Sequence, residues 1–165
     1  MTPFEGYALT RTAEGTETYS IVAQPIHDNQ TINLTKTANG MNGDNLFVNS
    51  YLAPIDLTKF TTDGEDSDFT GNVDKTFYLF NSGSWNQWHS EGGKDHVNYG
   101  VSPGQYYALS TKGASLMDKA YDQTTIPPMQ GVYVVALSNN AQIKVDYAKH
   151  VYGAEASNRP MRAPE

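Results

Sequence analysis

The sequence predicts an all-β chain: an antiparallel two-sheet β-sandwich, jelly-roll-like, with at most one or two short helices. Three observations predict it. Aromatic residues make up 12% of the 165, with 11 tyrosines, and threonine is frequent where strong helix formers are sparse, a usage that suits pleated, half-buried strands. Apolar residues recur with a period of two almost throughout, which is the strand period. Seven or more such runs are separated by Gly, Asn and Asp turns at fairly regular spacing. That is the rhythm of a sandwich, with a barrel as the alternative closure.

In chain order, TYSIVAQ (18–24) presents Tyr19, Ile21 and Ala23 to one face, and TINLT (31–35) alternates Ile32 and Leu34 with polar residues. Both read as half-buried strands. NLFVNSY (45–51) and TFYLFN (76–81) are denser and suit deeper strands. SWNQWH (84–89) follows the latter through a Ser82-Gly83 turn, as in a hairpin. GVYVVAL (131–137) and AQIKVDY (141–147), separated by Ser138-Asn139-Asn140, read as a second hairpin. In its second strand Ile143, Val145 and Tyr147 face in and Gln142, Lys144 and Asp146 face out, the pattern of a sheet with one wet side. Two short segments could be helical, Ile55 to Phe60 and Ser115 to Tyr121. No internal repeat is visible. From Gly153 the periodicity ends and proline enters, so residues 1–152 form the module and 153–165 a linker or tail.

The strand entrance IPPMQG (126–131) follows from backbone chemistry. Pro127 and Pro128 cannot donate to a ladder and must precede the strand they aim. Met129 is expected to plug the end of the core, and Gly131 to leave a position free of Cβ where the strand enters the sheet.

Length and charge narrow the functional classes. A chain of 165 residues affords one core, burying on the order of 70% of its unfolded surface. Net charge −7 and a pI near 4.9 argue against nucleic acid, whose binding rests on Lys and Arg displacing counterions. No run of about 18 apolar residues offers a transmembrane segment. No charged-then-apolar leader precedes Thr2, so any export signal lies outside this piece. With no cysteine, disulfides and thiolate metal sites are excluded.

The segments NLFVNSYLAPID (45–56) and IPPMQGVYVVAL (126–137) resemble a β-sandwich module that recurs in large secreted and cell-surface proteins of Bacteroidetes bacteria. Its segments have the form N-L-x-G-N-P/S-Y-x-A-x-I-D and I-P-x-x-Q-G/A-F-F-V. Asn45, Leu46, Asn49, Ser50, Tyr51, Ala53, Ile55 and Asp56 match the first, with Val48 departing where glycine is common. Ile126, Pro127, Gln130, Gly131, Tyr133 and Val134 match the second. More loosely, the resemblance takes in GYALT (6–10) and the tail RPMRAP. It implies a non-catalytic structural or linking module, secreted or at the cell surface, whose partners are other domains of the same longer chain. It implies no catalytic residue.

The residues give the same answer. No nucleophile elbow, HExxH, P-loop or dinucleotide fingerprint occurs. His27, His89, His96 and His150 fall in separate segments without a metal-ligand spacing. Paired carboxylates of a glycosidase meet only in space, so 18 acids neither argue for such a site nor exclude it. DGEDSDF (63–69) could offer Asp63, Asp66 and Asp68 to calcium. The order does not match an EF-hand loop, and a solvated, mobile loop without cofactor is the expectation. The alternative function is a carbohydrate-binding, lectin-like module in which Trp85 and Trp88, among Asn86 and Gln87, offer an indole to a glycan.

Overall fold

The structure, a computed structural model, describes residues 2–7, 16, 18–20, 22–38, 43–81, 105–111 and 124–151. Among the described residues nine strands run in order: β1 (Gln30–Asn33), β2 (Asp44–Val48), β3 (Ile55–Asp56), β4 (Phe69–Thr70), β5 (Val73–Asn81), β6 (Gln105–Ser110), β7 (Thr125–Ile126), β8 (Gly131–Ala136) and β9 (Gln142–Val145). A 3₁₀ turn covers Leu57–Lys59, and α1 is Tyr147–His150. All strand pairs are antiparallel. One sheet has the order β2-β8-β5-β6, a second β1-β9-β4, and β3 pairs with β7 in a small third.

The core lies between the two larger sheets. Phe47 of β2, Val132, Val134 and Ala136 of β8, and Phe77 and Leu79 of β5 meet Ile143 and Val145 of β9, Leu34 and Phe69 in one apolar cluster. Ring contacts cross from sheet to sheet, Phe69 lying 6.1 Å from Phe77 and Phe60 5.7 Å from it. The strict alternation of β8, buried at every second residue, puts Tyr133 and Val135 on the outer face. β5 advances four residues from Val73 to Phe77 while β8 advances two, from Ala136 to Val134. The resulting irregularity bends the strand.

The two segments 45–56 and 126–137 meet around one buried amide. Asn49 is fully buried. Its Nδ2 donates to the carbonyls of Ile126 (2.8 Å) and Ala53 (3.0 Å), and its Oδ1 accepts from the Tyr51 N–H (3.0 Å). Its backbone pairs with both sides of the opposite turn, accepting from Met129 N–H and donating to the Gln130 carbonyl. That turn is closed by the Gln130 N–H on the Pro127 carbonyl. With Pro128 second and Met129 third at φ 62°, it has the pattern of a type II turn. Asp56 then caps the 3₁₀ turn through Thr58 N–H at 2.9 Å, a role open to a short carboxylate.

Several sequence expectations are corrected. The described residues of 18–24 form no strand; Val22 is 99% exposed, and Tyr19 and Ala23 are exposed too, so their alternation has no core to face. GVYVVAL and AQIKVDY are not a hairpin: both edges of β8 are taken, by β2 and β5, so after Ala136 the chain crosses to the other sheet, where β9 lies between β1 and β4. β5 pairs with β6, a strand not foreseen in QYYALS. The proposed partner 84–89 lies outside the described residues, as does the helix expected at 115–121. Met129 does not plug the core. It is 64% exposed, because the left-handed turn position swings its side chain outward. The segment 55–60 is strand then 3₁₀ turn, and AQIKVDY gives way at Asp146 to α1. Among the described residues, helix is confined to α1 and that turn.

Candidate functional site

Trp85, Asn86, Gln87 and Trp88, with His89 and His96, lie outside the described residues. The acidic run is partly what its sequence suggested. Glu65 and Asp66 are exposed. Asp63 accepts from Lys75 Nζ at 2.7 Å and from the Thr62 hydroxyl at 2.8 Å. Asp68 departs from a solvated loop, being 8% exposed. Its Oδ2 receives the Thr61 N–H at 2.7 Å, Lys149 Nζ at 2.7 Å and His150 Nε2 at 3.2 Å. Among the described residues no three His, Asp or Glu side chains converge as a metal site would need.

His150 is fully buried. Its ring stacks on Phe60 at 4.2 Å and 9°, and its Nδ1 accepts the Asp146 N–H at 2.8 Å. That bond fixes the neutral tautomer with the proton on Nε2, aimed at Asp68. Sequence reading missed this cluster. The one available signal was Asp146 standing before YAKH, an N-cap that ends a strand and starts a turn of helix.

The outer face of the four-stranded sheet carries an aromatic patch. Register places Leu46 beside Tyr133 and Tyr133 beside Tyr78, with Phe80 beside Tyr106 one row on. Phe80 and Tyr106 are 44% and 50% exposed. Their rings lie 5.0 Å apart, and Tyr106 meets Tyr133 edge-on at 5.4 Å. The Tyr78 hydroxyl donates to Asp74 at 2.7 Å, and this bond, ahead of burial, raises its pKa. Desolvation, then Tyr133, raises that of Tyr106. Both therefore present hydroxyls, not phenolates, at neutral pH. Flat rings edged with hydroxyls can pack against an apolar face and hydrogen-bond at its rim.

A cleft of about 540 Å³ opens where the edges of β1 and β2 approach each other beneath residues 2–6. Phe4 to Gly6 extend the β2 edge through Gly6 N–H on the Leu46 carbonyl and Val48 N–H on the Phe4 carbonyl. Asn45 closes one end by bonding Thr35 in both directions. The acids on its walls are Glu5 and Asp44, and Glu5 already accepts from the Tyr7 hydroxyl. Among the described residues no histidine lines it.

Among curated proteins, the minor fimbrium subunit Mfa5 of Porphyromonas gingivalis is similar to this chain, 30% identical over 161 residues. The match takes in 94% of this chain and 12% of that protein, so the chain spans about an eighth of the relative's length. No family model matches the chain. No solved structure matches it.

Proposed function

We propose that the chain is a non-catalytic structural or linking module of a larger exported cell-surface protein. One observation carries this reading. Nearly the whole chain aligns with a small part of a fimbrium subunit, as expected of a unit that is reused inside long surface proteins. The fold supports it, since its specific polar contacts, the Asn49 hub above all, tie segments of the module to one another. The partners in this reading are neighbouring domains of the same chain, its location is the cell exterior, and it needs no cofactor. The test is to replace the module, within the protein that carries it, by an unrelated sandwich of similar size. Surface display and assembly should persist. Their loss on replacement, with the parent still exported, would overturn the linking role.

A second reading is glycan binding. The exposed rings of Phe80 and Tyr106 favour it, as does the indole character of Trp85 and Trp88 beside Asn86 and Gln87. A glycan array with the intact chain, repeated with Tyr106→Ala and Trp85→Ala, decides it. Retention lost in either variant supports the reading, and an array with no retained glycan removes it.

A further inference from the structure

We propose that Asp68, Lys149 and His150 form an acid-released lock, which holds the segment Asp146–Val151 on the body of the module while His150 is neutral and frees it when His150 takes a second proton. The segment is a single capped turn, and the His150 ring bonds to both its start and the body of the module. The His150 N–H donates to the Asp146 carbonyl at 2.9 Å and the Val151 N–H to the Tyr147 carbonyl at 3.1 Å, which makes the single turn of α1. Lys149 N–H is capped by Asp146 Oδ1 at 3.0 Å. Val151 then bridges to Ile55 of the small sheet.

The turn is held to the rest of the fold on two sides. On one, Asn29 accepts from Tyr147 N–H at 2.8 Å and donates to Asp146 at 3.2 Å, with Tyr147 edge-on to Tyr51. On the side of the imidazole, a set of bonds crosses to Thr61 and Asp68. Lys149 Nζ reaches the Thr61 hydroxyl at 2.9 Å and Asp68 at 2.7 Å, and His150 Nε2 reaches Asp68 at 3.2 Å. Phe60, at the end of the 3₁₀ turn, covers the imidazole face.

A second proton on His150 has one place to go. Nε2 already carries its hydrogen towards Asp68, so the new one must sit on Nδ1, where the Asp146 N–H is already donating. Two donors would then face each other at 2.8 Å. The Asp146 N–H loses its acceptor, and the residue that starts and caps α1 must move. The neighbouring charges pull both ways, and burial outweighs them. Asp68 and Asp146 favour the imidazolium, and Lys149 opposes it. The Asp68 oxygen that could stabilise it is already shared by Lys149 and Thr61. Burial is the largest influence and holds the imidazole below its ordinary 6.5.

The sign follows from linkage. A histidine lowered in the docked state takes up its proton more readily once undocked, so the docked state is fully favoured above about pH 6.5 and loses ground as pH falls below it. If the docked ring stays neutral to pH 5, the undocked population grows about thirtyfold between pH 7.5 and 5.0.

The test uses the 165-residue chain. Residue-resolved NMR of labelled histidine follows the tautomer and titration of His150, assigned by the signal missing in His150→Phe. Hydrogen exchange, corrected for intrinsic rates, follows His150 and Val151 against Val134. The expected result is an Nε2–H tautomer at pH 7.5, and protection at 150–151 falling tenfold or more by pH 5.0 while Val134 keeps its own. In His150→Phe, which can stack on Phe60 but cannot titrate, the ratio of the two protections should not change with pH. Three results would each overturn the proposal: an Nδ1–H tautomer at neutral pH, protection at 150–151 unchanged at pH 5.0, or Val134 losing protection in step with it. The last would mean that the module opens only as a whole.

Discussion

Replacing Asn49 by alanine removes three side-chain hydrogen bonds at a fully buried position. The Tyr51 N–H and the Ile126 carbonyl are left at buried positions and the Ala53 carbonyl at a partly buried one. An orphaned buried group costs about 1–3 kcal/mol, and a carbonyl that keeps its second lone pair in use falls at the low end. The sum is about 3–4 kcal/mol. In a domain of this size each kcal/mol moves Tm by about 2–4 °C, so the variant should melt about 10 °C lower. Urea unfolding followed by tyrosine and tryptophan fluorescence measures it, with the denaturant slope unchanged if the native state stays compact. Asn49→Asp separates lost donation from lost volume. It keeps the acceptor for Tyr51 but turns a second acceptor towards two carbonyls, so its carboxyl should be raised above the usual 3.9. A raised acid contributes stability below about pH 3.9 and loses it as pH rises through the higher folded value. Asn49→Asp should therefore recover relative to Asn49→Ala in acid. A loss below about 1 kcal/mol in Asn49→Ala would refute the claim that this amide joins the two segments.

Met129→Gly should raise stability by about 0.5–1 kcal/mol, since relief of a left-handed methionine outweighs the freedom glycine adds to the unfolded chain; an unchanged urea midpoint would mean the turn carries no strain. Gly43→Ala should cost well over the roughly 1 kcal/mol of Gly64→Ala, because both have positive φ but only at Gly43 does the new Cβ run into the Ala136 carbonyl. Equal losses would show that the close approach relaxes freely. Val134→Asp, at a fully buried position, should cost over about 4 kcal/mol by burying an unpaired charge. Tyr133→Ala on the outer face should cost only about 1–2 kcal/mol. Thermal unfolding compares the pair, and a reversed order would invert the sheet's two faces.

The strands most legible in the sequence were those whose alternation has a core to answer to. Ile32, Leu34, Phe47, Val134, Ile143 and Val145 sit where a period of two put them, because one face of each strand packs on the other sheet. The same period misled at 18–24, where the described Tyr19 and Ala23 are exposed and lie in no strand. Pairing was less legible than strands. The short link at 138–140 has the length of a hairpin loop, yet β8 had no free edge left, and edge occupancy is decided by residues far away in the chain. Of the candidate sites, the aromatic face was hidden because Tyr106 and Tyr133 come from strands that meet only through β5. Asp68 read as one more surface acid because its partners, Lys149 and His150, follow it by 81 and 82 residues.

The strand order has a kinetic consequence. β8 lies between β2 and β5, and β9 between β1 and β4, so in each large sheet a strand that joins two others is contributed by residues 131–145. A polypeptide delivered amino end first can pair β5 with β6, but β2, β1 and β4 lack their neighbouring strand until those residues arrive. The pairing of Asn33 with Gln142 closes a loop of 109 residues, and such closures must be made before any contact repays their entropy. The nascent chain should therefore stay extended and threadable through a narrow conduit until it is nearly complete, and then collapse late and in one step, more slowly than a helical domain of equal length.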